Sequence, residues 1–150
     1  VSIIRHATEQ DIDALTAMAR EFLAYSAYGT MIAPSDDDIR AGLRAVLTAG
    51  VVFVAEVGER IVGAVVGVVA PMWFAPSVTA AVELAWWVDP AHRMTRIPFR
   101  LMHALEAWGK ERGAQLMCMS ELVIEGTTPV AKMLGRMGYV NTERTHVREI

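Results

Sequence analysis

Residues 83–113, ELAWWVDPAHRMTRIPFRLMHALEAWGKERG, constrain the fold more than any other stretch of this chain. An apolar run ends at Val88, Pro90 stops it, a basic loop follows, and a helical stripe begins at Ile97. Ile97, Leu101, Leu105 and Trp108 recur at helical spacing, and Gly113 supplies the stop. A strand feeding such a loop and helix aims free N–H groups and the positive helix end at one spot, which suits a phosphate. His92, Arg93, Arg96 and Arg100 cluster there. Alone, that cluster reads as a solvated helix end; behind a strand, anion binding is the better reading.

The rest of the chain falls into short elements. Val1 to Ala7 alternates loosely and predicts a strand. Thr8 with Asp11 is a capping signal for a helix carrying Ile12, Leu15, Ala19 and Phe22 on one face. After the loop from Tyr25 to Pro34, Ser35 caps a second helix with three aspartates in its first turn, and Gly50 ends it. Val51 to Val57 and Ile61 to Ala70 predict a hairpin around Gly58-Glu59-Arg60. Pro71 to Ser77 predicts a loop, Thr79 to Val88 the next strand, and Gln115 to Ser120 a fifth. Pro129 to Met137 predicts a short helix stopped by Gly138, and Tyr139 to Arg148 a last strand.

Composition removes several function classes. No apolar run approaches the ~18 residues of a membrane span, and Gly63 and Gly67 interrupt Ile61 to Ala70; no membrane partner is expected. A net charge of −3 argues against a nucleic-acid partner. Single Cys118 forms no intrachain disulfide and fits a reducing compartment, here the cytoplasm, as does the missing secretory layout. His6, His92, His103 and His146 lack metal-ligand spacing, so no metal is expected. Hydrophobic residues at 53% of the chain suit one domain over 1–150.

The order β-α-α-β-β-β-α-β-α-β, the strand–loop–helix at 83–113 and the Gly138-Tyr139 pair resemble the GNAT superfamily of N-acetyltransferases over essentially the whole chain. The resemblance implies an α/β (α+β) fold with a mixed, mostly antiparallel sheet of six to seven strands and helices on both faces. It implies acetyl-CoA as acyl donor, held in a V-shaped gap by backbone groups of the strand from Trp86 to Val88. The family's Arg/Gln-x-x-Gly-x-Gly/Ala phosphate loop falls on Arg93, Met94, Thr95, Arg96, Ile97 and Pro98. Arg93 matches. Arg96 and Pro98 stand where the family has small residues, and proline removes one N–H donor. Arg96 then either contributes charge to the phosphate or fills its place.

By the same resemblance Glu83 is the catalytic base, which an amine of pKa ~10 needs at neutral pH. Strict alternation would put Glu83 on one face with Ala85 and Trp87; the plainer alternative is a strand-end glutamate paired with a helix arginine. The family's acid, a tyrosine, is replaced by Leu134, and an accompanying asparagine by Thr127, whose hydroxyl still donates. Tyr139 reads as core, and Cys118 as a small apolar filler.

The implied acceptor is a primary amine on a small molecule or a protein, acetylated by direct transfer. In this fold the first helix–loop–helix and the loop between strands three and four wall the acceptor. Here they carry Tyr25, Tyr28, Met31, Met72, Trp73 and Phe74, a load that fits either an apolar acceptor pocket or a homodimer interface. The altered loop and Leu134 also fit a second function: a catalytically silent GNAT-fold module that has lost efficient CoA binding.

Overall fold

The computed structural model describes residues 1–122 and 129–150. Five strands form one sheet in the order β1-β2-β3-β4-β5: β1 (Ser2–His6), β2 (Val51–Val57), β3 (Arg60–Met72), β4 (Ala75–Val88) and β5 (Leu116–Cys118). The first four pair antiparallel; β5 alone runs parallel to β4. The helices are α1 (Ile12–Tyr25), α2 (Asp36–Ala49), α3 (Ile97–Glu111) and α4 (Pro129–Arg136).

Alternation along the strands builds two cores. Val51, Phe53, Val65 and Val88 pack with Ile97, Leu101, Leu105 and Trp108 of α3 on one face. Val52, Val54, Ala64 and Trp87 pack with Leu15 and Met18 of α1 on the other, where Leu43 and Val46 of α2 complete the layer. Two glycines let α3 lie close: a Cβ on Gly67 would meet Leu105 at 2.5 Å, and one on Gly109 would meet Ala81 at 2.6 Å. The caps form as the sequence implies. Ser35 and Asp38 make a reciprocal capping box at α2, whereas Thr8 and Asp11 cap a 3₁₀ turn, Glu9–Asp11, that leads into α1.

Four expectations are corrected. Among the described residues the sheet has five strands, not six to seven. Residues 139–150 form no strand: Val140, Val147 and Ile150 are exposed, so the charged tail has no apolar face to bury. The loop expected over Pro71 to Ser77 shrinks to a turn at Trp73 and Phe74. Pro71 and Pro76 lie within strands because β3 runs on past its last β2 partner at Gly67, and β4 begins before its first β5 partner at Ala80. A proline at such an open edge forfeits no ladder bond. Finally, Cys118 is exposed, not a core filler.

Candidate active site

β4 and β5 pair only through Ala80, Ala81 and Val82 against Leu116, Met117 and Cys118. Beyond Val82 they part, and among the described residues the β5-side edge of β4 has no strand partner as far as Val88. Leu84 is a bulge there: Ala85 pairs with Val66 and Glu83 with Gly67, so Leu84 is the extra residue and lies exposed. The bulge breaks the expected alternation. Glu83 shares the α3 face with Gly67, Trp86 packs on that same face, and Trp87 turns to the α1 face.

Glu83 is 5% exposed and sits where the two strands separate. Its Oε2 accepts the Ser120 N–H at 2.9 Å across the gap. Burial pushes its carboxyl up to about 7, and the Ser120 bond offsets only part of that rise. Among the described residues it has no arginine partner, so the strand-end ion pair does not form. The indole Nε1 atoms of Trp86 and Trp87 are buried without partners among the described residues, one on each face of β4.

The loop after β4 is wound by successive short bonds: His92 N–H to the Asp89 carbonyl, Arg93 to Pro90, and Thr95 to His92. Thr95 Oγ1 accepts the Ile97 N–H at 3.2 Å, and Ile97 is buried in the α3 core. Ile97 therefore brings neither side chain nor N–H to a ligand. The N–H groups of Met94, Arg96 and Phe99 have no partner among the described residues. Arg96 adopts φ −79° and ψ −6°, which any residue takes, so no glycine is needed for the turn itself. Its side chain is exposed. Met94 is fully exposed.

Arg93 does not face the open helix end alone. Its Nε donates to the Val88 carbonyl at 2.9 Å, and its guanidinium stacks over the Trp87 and Tyr25 rings. Neither Trp87 nor Arg96 fills the gap beside β4: Trp87 is packed into the α1 face and Arg96 points to solvent. Leu134 is buried on α4, while the Tyr139 hydroxyl donates to Glu106 Oε1 at 2.6 Å. Burial, helped by that carboxylate, raises the phenol well above its ordinary value. Thr127 lies outside the described residues.

Residues 12–139 match the model of the acetyltransferase (GNAT) family. This chain belongs to that family. Its fold is shared by solved structures of low identity. An aminoglycoside N-acetyltransferase in complex with CoA aligns at TM-score 0.77 and 17% identity, over 100% of this chain and 95% of that one. A predicted acetyltransferase with acetyl-CoA from Clostridium acetobutylicum aligns at 0.76 and 16%, over 99% and 96%. A ribosomal-protein-alanine N-acetyltransferase from Brucella melitensis biovar Abortus 2308 aligns at 0.77 and 15%, over 100% and 99%. No curated protein matches the sequence.

The two aromatic loops of this GNAT protein do not meet. Tyr25 stacks near Trp87 at one end of β4, while Trp73 and Phe74 form the turn at the other. Those ends are on the order of 40 Å apart at strand rise. The position of the bulge at Leu84 and the fold-back of Arg93 are not marked in the sequence; the paired tryptophans just before the arginine cluster are the one hint of stacking.

Proposed function

We propose that this protein is an acetyl-CoA-dependent N-acyltransferase that acetylates a primary amine by direct transfer, with Glu83 as base. The observation that carries this is a buried carboxylate, near-neutral in its titration, at the point where β4 and β5 separate. The chain also fits the donor. The edge of β4 beyond Val82, without a strand partner among the described residues, offers backbone groups to an extended arm, and the N–H groups of Met94, Arg96 and Phe99 with the Arg96 guanidinium offer a phosphate site. Acetyl-CoA supplies an activated thioester carbonyl.

The residues supply the proton traffic. Ionised Glu83 takes one proton from the acceptor ammonium, freeing the nitrogen lone pair to form the new C–N bond as the C–S bond breaks. The nitrogen sheds its second proton to the leaving sulfur through water, since Leu134 offers none. Small-molecule and protein amines both remain in the acceptor class, as the aminoglycoside and ribosomal-protein enzymes of this fold illustrate. The test is an amine screen with acetyl-CoA that reads thiol release in the wild type and in Glu83→Gln. Amine-dependent release that the variant loses supports the proposal; release equal in both removes Glu83.

The silent-module reading is favoured by one observation, the Trp73–Phe74 tip, 88% and 65% exposed in a hairpin with no charge from Ile61 to Val82. A second copy of this chain is the occupant such an uncharged tip fits. Trp73→Ser should then convert a dimer to a monomer in sedimentation; a wild type that is monomeric at high concentration excludes it.

A further inference from the structure

Arg93 heads the loop that would hold phosphate, yet its contacts lie on the other side of β4. Nε is bonded to the Val88 carbonyl at 2.9 Å, and the guanidinium carbon is 4.5 Å from the Trp87 ring centre and 5.5 Å from that of Tyr25. The two rings are 5.1 Å apart, and Phe22 meets Trp87 edge-on. Trp87 is buried, the setting in which a cation over a ring counts most. Tyr25 is the last residue of α1. One side chain thus ties three elements together: the end of β4, the loop behind it, and the last turn of α1.

Arg96 offers the contrast. It is exposed and has no ion pair among the described residues, three positions further along the same loop. We infer that Arg93 is a positioning residue of the acceptor side: it locks the end of α1, and with it the α1–α2 connection, to the end of β4. Any phosphate of the donor is met instead by Arg96 and the backbone N–H groups of Met94, Arg96 and Phe99. The inference rests on the acyltransferase reading, in which the α1–α2 connection borders the acceptor.

Two named probes separate the roles: acetyl-CoA, and S-acetylpantetheine, which lacks the pyrophosphate. The readout is the ratio of their affinities by calorimetry. In Arg93→Ala that ratio stays within about twofold of wild type, while in Arg96→Ala it falls about tenfold. Thermal unfolding supplies a second measurement that needs no ligand. Arg93→Ala lowers Tm by roughly 2–6 °C, and the double variant with Tyr25→Ala loses less than the sum of the two single losses, because both remove the shared Arg93–Tyr25 contact. Arg93→Lys recovers part of the loss, keeping the cation while losing the Nε bond.

A tenfold collapse of the ratio in Arg93→Ala, or fully additive losses in the Arg93–Tyr25 pair, overturns the inference. A wild type that binds neither probe contradicts the acyltransferase reading instead, and the unfolding cycle still decides whether Arg93 and Tyr25 act as one unit.

Discussion

β4 and β5 bound the same gap from opposite sides and differ in how they are held. β4 is paired to β3 along most of its 14 residues, is backed by α3 on one face, and packs Trp87 against α1 on the other. β5 has three residues, and two of them, Leu116 and Cys118, are exposed. The β4 wall carries Glu83 and leads directly into the loop and α3. On the other side, α4 presents a buried leucine where the family has its acid. A firmly held wall with a buried carboxylate thus faces a thin one, and among the described residues the groups that could specify the chemistry lie on β4.

The largest expected effect is at Glu83. Glu83→Gln should cut the acetylation rate by about 10²–10⁴-fold with acetyl-CoA affinity nearly unchanged. The wild-type rate should rise with pH through about 7, as Glu83 ionises, and the variant's should not. Stability carries the opposite sign. The folded carboxyl lies above its ordinary 4.5, so ionisation weighs on the fold as pH rises between 4.5 and about 7. Glu83→Gln should therefore gain Tm relative to wild type across that window; a constant difference would mean that Glu83 is solvated.

Next in size, Leu105→Ala removes a fully buried α3 side chain that rests on Gly67 beneath β4. It should cost about 2–5 kcal/mol in chemical unfolding. Asp11→Ala comes third. Arg5 donates to Asp11 at 2.8 and 2.9 Å and holds its carboxyl at about 2, although Arg5 is partly exposed and solvent screens the pair. A loss of about 1–3 kcal/mol at neutral pH should result. Since this carboxyl lies below its ordinary 3.8, that advantage should persist above it and fade as pH falls toward 2. Smallest is Leu116→Ser on β5, within about 0.5 kcal/mol. A loss at Leu116 as large as that at Leu105 would erase the contrast between the walls.

How far the sequence could be read follows the same division. β2, α2 and α3 were legible because their signals are local: Ser35 before three aspartates, a helical stripe from Ile97 to Trp108, and Gly113 at φ +79° past the helix end. Glu83 was found by its place in the strand, but its face was not, because a bulge at Leu84 leaves no mark in a run of apolar residues. The prolines at 71 and 76 implied a loop, since a sequence does not show which strand edges lack neighbours. Arg93 matched a loop position, yet its direction depends on Tyr25, which lies 68 positions away and packs only in the folded chain. The strand expected over Tyr139 to Arg148 rested on its place after the Gly138-Tyr139 pair, and a run with so few apolar residues has little to bury against a sheet.

The most direct test of this account is a calorimetric titration of the wild-type protein with acetyl-CoA, using free CoA for comparison. Binding in the micromolar range is predicted, with the β4 edge and the N–H groups of Met94, Arg96 and Phe99 holding the donor despite Pro98. No heat and no thermal shift at millimolar ligand would contradict it, leaving a GNAT fold that no longer holds its donor.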